Sequence, residues 1–214
     1  MKALINGRQS LRNGLQGLLL TMLLTMLLSS VSFANDTDPE KMVRDTTDII
    51  LAKISAERSL IEADNSRLYK MVGDIVLPHF DFAGMTRLAV GKYWRKVKPV
   101  DRAALVTQFR HLLVRTYGRA LLEYTDQELV YLPMRGSVAK GRVTVRTEVD
   151  QAGGFPIPIN YKLTNATGAW KVYDVSIDDV SLVTNYRSSF SRTIRNEGVR
   201  SLIKQLSAKN KDAK

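Results

Sequence analysis

Two histidines, His79 and His111, and two carboxylate features, Asp81 and the Asp178-Asp179 pair, are the residues whose types would allow acid–base or metal chemistry. Neither histidine belongs to a His-x-x-x-His pair and the chain has no cysteine, so a metal centre is not expected. Asp81 stands between Phe80 and Phe82. Apolar company of that kind can raise a carboxyl pKa and turn the group into a general base. Its place just ahead of a helical pattern makes an N-cap the simpler reading. Asp178-Asp179 falls at a strand-to-helix junction, where turn and capping chemistry explains two aspartates better than a catalytic pair does. There is no Gly-x-Ser-x-Gly elbow and no phosphate loop, and Gly153-Gly154 is spaced as a hairpin turn. Asn35-Asp-Thr37 and Asn165-Ala-Thr167 match the glycosylation acceptor pattern and equally match turns. The expectation is a protein that is not an enzyme and carries no cofactor or metal.

The elements that would position these residues run as helices, then strands, then helices. Met42/Val43, Thr46, Ile49/Ile50 and Ile54 recur at helical spacing after Pro39. Leu68, Met71/Val72 and Ile75/Val76 make a second, short helix stopped by Pro78, and Asp81 caps a third that ends near Gly91. The strongest stripe predicts a long helix from about Asp101 to Tyr124, through Leu105, Phe109, Leu113, Tyr117 and Leu121. Four strands follow: Leu129 to Leu132, Arg142 to Asp150, Ile157 to Leu163, and Trp170 to Ile177. Val143, Val145, Thr147 and Val149 share one face of the second. Pro156 and Pro158 place their end of the third strand at an edge or off the ladder. The fourth changes phase between Val172 and Val175, which a bulge or burial of both faces would explain. Two amphipathic helices close the chain, one through Leu182, Val183, Tyr186, Phe190 and Ile194, the other through Val199, Leu202, Ile203 and Leu206. The predicted class is α+β, a curved antiparallel four-stranded sheet packed by helices.

Residues 1–34 have the layout of a cleaved secretory signal peptide. Lys2, Arg8 and Arg12 lead an apolar run of 14 residues from Leu15 to Leu28, and Ser32-Phe33-Ala34 offers small residues before a cut at Asn35. The run is shorter than the roughly 20 residues a spanning helix wants, so an exported protein rather than an anchored one is expected. Removal of this leader, which carries three basic residues and no acid, leaves 180 residues with a net charge of +8. That is one domain, residues 35–208, followed by a disordered basic tail at 209–214. Eight basic residues between Asn185 and Lys214, against Glu197 and Asp212, read either as a solvated helix face or as attraction to anionic partners. No aromatic-basic interleaving suggests nucleic acid.

Several phrases, in order, resemble one family. Leu77-Pro-His-Phe-Asp-Phe82 with Met85-Thr-Arg-Leu-Ala-Val-Gly91 and Trp94 is similar to the start of the MlaC/toluene-tolerance family of exported phospholipid-binding proteins. So are Leu113-Val-Arg-Thr-Tyr-Gly118 with Ala120-Leu-Leu-Glu-Tyr124, Trp170-Lys-Val-Tyr-Asp-Val175, and Val180-Ser-Leu-Val-Thr-Asn-Tyr-Arg187. The similarity covers roughly residues 40–207. The family usually has glycine where this chain has Asp179, which puts the local turn in question and not the fold.

The resemblance implies an NTF2-like fold with an apolar cavity, and a periplasmic carrier of phospholipid in a Gram-negative envelope. Its partners would be an inner-membrane ABC transporter complex and an outer-membrane lipoprotein–porin complex, its role the maintenance of outer-membrane lipid asymmetry. Phospholipid would be cargo, not cofactor. Candidate cavity residues are Phe109, Leu113, Tyr117 and Leu121 on the long helix and Val143, Val145, Val149, Ile157, Ile159, Tyr161, Val172 and Val175 on the sheet. Leu182, Val183, Tyr186 and Phe190 stand behind them. Periodicity alone does not separate cavity lining from ordinary core. No headgroup motif stands out, so acyl chains would be bound with little headgroup choice. A periplasmic chaperone or adaptor, and a small-molecule enzyme in the same pocket, are the alternatives.

Overall fold

The computed structural model describes residues 38–123, 127–151 and 153–212. The expected leader, the Asn35-Asp-Thr37 acceptor match and Tyr124 lie outside them. The first helix, α1 (Pro39–Ala56), starts where its sequence dictates: Pro39 takes the first turn and the Asp38 carboxylate accepts from the Glu40 N–H at 2.9 Å. Two short helices follow, α2 (Arg58–Ala63) and α3 (Ser66–Met71). The chain then widens into a π-helical turn at Val72–Val76 and tightens into a 3-10 turn at Leu77–His79 around Pro78. Asp81 caps α4 (Phe82–Val90), its carboxylate accepting from the Gly84 N–H at 2.7 Å. The capping role therefore holds, and the side chain is committed to it. Gly91 ends α4 with φ of 61°, and a Cβ there would meet the Arg187 guanidinium at 3.0 Å.

The long helix is shorter than its stripe predicts. α5 runs Pro99–Tyr117, about 28 Å at ~1.5 Å per residue. Past Gly118 the bonding tightens to i→i+3, Leu121 N–H to Gly118 and Leu122 N–H to Arg119, before the one-turn α6 (Ala120–Glu123). Gly118 itself keeps right-handed helical angles, and a Cβ there would come within 2.5 Å of the Val114 carbonyl oxygen.

The sheet has five strands, not four: β1 (Leu129–Ser137), β2 (Arg142–Val149), β3 (Ile157–Thr164), β4 (Lys171–Ile177) and β5 (Val180–Ser181), in that spatial order and antiparallel throughout. β5 is only two residues long, too short for an alternation pattern to reveal. β4 carries a bulge, since Lys162 pairs with Asp174 but Leu163 with Val172. The extra residue, Tyr173, puts Val172, Val175 and Ile177 on one face, which resolves the phase change. A second bulge in β1 sets Pro133 and Met134 against Val145. β3 is an interior strand, and Pro158 sits where its ladder to β4 ends, its carbonyl accepting from the Asp178 N–H at 2.9 Å. Asp178 and Asp179 form the β4–β5 turn with φ of 50° and 58°, so the turn reading is correct and both take the left-handed conformation.

Ser181 then caps α7 (Leu182–Glu197), and Gly198 separates it from α8 (Val199–Asp212). Residues 209–212, expected as disordered tail, continue that helix. Buried Asn210 donates to the Gln108 carbonyl at 3.0 Å and to its side-chain oxygen at 2.8 Å, tying the last turn to α5. At the β4–α7 junction, buried Asp174 accepts from Lys162 Nζ at 3.0 Å, Ser181 Oγ at 2.8 Å and the Val183 N–H at 3.2 Å.

Two apolar clusters result. The larger joins one sheet face to α4, α5, α7, α8 and the start of α1 (Met42 and Val43), with Phe109 ringed by Tyr186 and Phe190 at 5.1 Å each. The smaller gathers Ile50, Ile54, Ile61, Leu68, Met71 and Val72 in the N-terminal helices. Among the described residues no helix is long and apolar enough to cross a membrane.

Candidate functional site

A pocket of about 450 Å³ lies along the seam between the two clusters. The sheet supplies one wall: Leu129, Val149, Ile157, Ile159, Tyr161, Val172, Val175 and Ile177. Register explains why these side chains converge, because Val149 pairs with Ile157, Ile159 with Ile177 and Tyr161 with Val175, all on one face of the sheet. α5 and α6 supply Leu113, Val114, Tyr117, Ala120 and Leu121. The opposite wall is the N-terminal arm: Met42, Val43, Thr46, Thr47, Ile50 and Leu51 from α1, then Val72, Val76, Leu77, His79 and Phe80, with Phe82, Met85 and Leu182 beneath.

Ten of the sixteen residues expected to line a cavity do so: Leu113, Tyr117, Leu121, Val149, Ile157, Ile159, Tyr161, Val172, Val175 and Leu182. Phe109, Val143, Val145, Val183, Tyr186 and Phe190 do not. They are packed in the larger cluster, because the helices close directly on that part of the sheet and leave no space. Sequence reasoning missed the whole N-terminal wall. The α1 stripe was legible as a helix, but nothing local says that it faces a void. The Val72–Val76 turn carries i→i+5 geometry, which strict 3.6 periodicity does not register and which recurs at functional sites.

The ionisable side chains among the described lining residues are His79, Glu123, Tyr117 and Tyr161. Burial pushes the Tyr161 phenol up to about 12, with nearby Tyr131 adding and the Thr147 hydroxyl opposing. Burial also raises Tyr117, helped by Tyr186. His79 is held below its ordinary value, first by burial and then by the Lys171 ammonium. Lys171 itself donates to the Pro78 carbonyl and pins the 3-10 turn to β4. His111 lies on the exposed side of α5, outside the pocket. No cluster of three metal-ligating side chains exists among the described residues. The arrangement surrounds hydrocarbon-sized space with mostly apolar side chains, and Gln127, Gln151 and Glu123 are polar members of the lining, the last two exposed.

Comparison with known proteins bears directly on this geometry. A profile of the family described as "MlaC protein" matches residues 44–208. The chain belongs to the MlaC family. It is 27% identical over 161 residues to the toluene tolerance protein ttg2D of Pseudomonas putida, covering 75% of this chain and 74% of that protein. It is 24% identical over 191 residues to the intermembrane phospholipid transport system binding protein MlaC of Haemophilus influenzae, covering 88% and 89%. Among solved structures, a phospholipid-binding protein from Ralstonia solanacearum, in complex with a phospholipid, superposes with a TM-score of 0.76 at 28% identity. That alignment covers 83% of this chain and 99% of the other. The α+β fold with an open antiparallel sheet is thus one on which a phospholipid-binding protein has been seen in complex with a phospholipid.

Proposed function

We propose that this chain is a periplasmic phospholipid carrier that encloses acyl chains in the seam pocket. It would shuttle lipid between an outer-membrane lipoprotein–porin complex and an inner-membrane ABC transporter complex, keeping the outer membrane's lipids asymmetric. Residues 1–34 act as its cleaved export signal, and the sheet with its wrapping helices is read as NTF2-like. The observation that carries the reading is the pocket wall, built of apolar side chains from both clusters. MlaC-family membership and the lipid held by the Ralstonia protein support it.

Size sharpens the proposal. A pocket of about 450 Å³ is room for hydrocarbon on the scale of an acyl chain. Both tails of a phospholipid, on the order of 30 methylenes at about 0.8 kcal/mol each, would cost roughly 24 kcal/mol if left in water. A two-tailed cargo must therefore have both tails enclosed. Mass spectrometry of gently purified protein tests the function. Co-purifying phospholipid is expected. A preparation that holds none and also takes none from liposomes would overturn it.

A further inference from the structure

We infer that Glu123, at the mouth of the pocket, makes this carrier favour phospholipids whose headgroup ends in an ammonium, an inference that rests on the carrier reading. Exposure locates the mouth. Of the described lining residues only Ala120, Glu123 and Gln151 are exposed, and the rest are half-buried or buried. Ala120 and Glu123 lie three apart on the one-turn α6 and so share a face of it. Gln151 follows the end of β2. Its neighbour Asp150 donates its N–H to the Glu128 carbonyl at 3.0 Å, which carries the β1–β2 pairing one step beyond Leu129 and Val149. Gln127 and Gln151 come next on the side of Leu129 and Val149, and both line the pocket. Arg58, outside the lining, donates to the Leu122 carbonyl at 3.1 Å and ties α6 to α2. The rim is therefore built from α6 and from the paired strands where β1 starts and β2 ends.

Charge decides which headgroup gains there. Acyl tails enter the apolar space, but a charged headgroup stays in water, because burying it costs heavily. It therefore sits where the lining is exposed. No Lys or Arg belongs to the described lining, and Glu123 is its one carboxylate, without an ion pair among the described residues. His79 is half-buried and belongs to the Leu77–His79 turn. Gln127 and Gln151 carry neutral amides, which treat every phosphate alike. Phosphatidylethanolamine brings an ammonium to Glu123, whereas phosphatidylglycerol brings only the negative charge of its phosphate. The chain as a whole is strongly basic, so its general field works in favour of the anionic lipid. A preference in the other direction is thus the signature of the local carboxylate. At an exposed site an ion pair is worth a small factor, which makes the preference a few-fold one.

The test offers full mature, delipidated protein an equimolar mixture of phosphatidylethanolamine and phosphatidylglycerol with identical acyl chains in a neutral detergent. Mass spectrometry then counts each lipid bound at equilibrium. The parent should hold roughly threefold more phosphatidylethanolamine than phosphatidylglycerol. Glu123→Gln should bring that ratio to one or below, with total bound lipid and melting temperature as in the parent, and Glu123→Lys should reverse it. Glu128→Gln, which removes an exposed carboxylate outside the lining, should keep the parental ratio. A parent that holds the two lipids as supplied, or a ratio unchanged in Glu123→Gln, overturns the inference and leaves the carrier reading intact. An equal fall in Glu128→Gln also overturns it, by tracing the preference to the general acidity of this end. A parent that takes up neither lipid overturns the carrier reading instead.

Discussion

Truncating Ile159 and Phe109 separates pocket wall from core. Phe109 is fully buried against Tyr186 and Phe190, so Phe109→Ala opens a new cavity and should cost ~3–5 kcal/mol. At about 2–4 °C per kcal/mol for a domain of this size, its melting temperature falls by roughly 6–20 °C. Ile159 pairs with Ile177 and lines the pocket while half-buried. Ile159→Ala removes three carbons, worth roughly 2.4 kcal/mol if fully buried, but it enlarges a space that already exists. In lipid-free protein the loss should be about half of that, near 1 kcal/mol, or roughly 2–4 °C. In lipid-loaded protein the missing carbons also lose contact with cargo, so the penalty should approach the full value and bound lipid should fall. Calorimetry of both variants, delipidated and loaded, with native mass spectrometry of the loaded samples, reads all four quantities. Equal destabilisation by the two truncations without lipid, and unchanged lipid occupancy in Ile159→Ala, would show that the seam is packed solid in solution and refute the reasoning.

Three further outcomes are expected. With Tyr161 raised to about 12 from an ordinary 10, its folded form holds a proton that the unfolded chain releases. That contribution to stability is intact below pH 10 and lost as pH rises towards 12, on the order of 2–3 kcal/mol, and Tyr161→Phe should abolish this part of the alkaline loss in denaturant titrations. Asp174→Ala removes the acceptor for Lys162, Ser181 and the Val183 N–H and should cost roughly 3 kcal/mol, whereas Asp174→Asn, which keeps a hydrogen-bonding oxygen, should cost clearly less by chemical denaturation. Asp179→Gly relieves a left-handed aspartate and creates an Asp-Gly turn, so it should raise stability by about 0.5–1 kcal/mol with lipid binding unchanged.

Local chemistry made much of the fold legible. Asp81 as a cap, Gly91 as a helix end, the shared face of Val143 to Val149 and the bulge hidden in the Trp170 to Ile177 phase change all follow from steric rules acting within a few residues. The two-residue β5 did not, being too short to show an alternation, nor did the early end of α5, which falls inside a stripe that runs on to Leu121. The helical run to Asp212 depends on a partner distant in sequence, since Gln108 holds Asn210.

By itself the sequence determined which side of each element is apolar, since side-chain direction repeats with the backbone period. It also carried the ordered phrases of the MlaC family. Only tertiary structure decided which apolar side chains meet protein and which meet empty space. Phe109 and Leu113 share one helical stripe and Val145 and Val149 one strand face, yet the first of each pair is core and the second is pocket wall. The boundary falls where the smaller N-terminal cluster, built around Ile50 and Val72, comes up against the sheet. Hydrophobic burial is non-directional, so no pattern within a single element encodes the gap left between two of them.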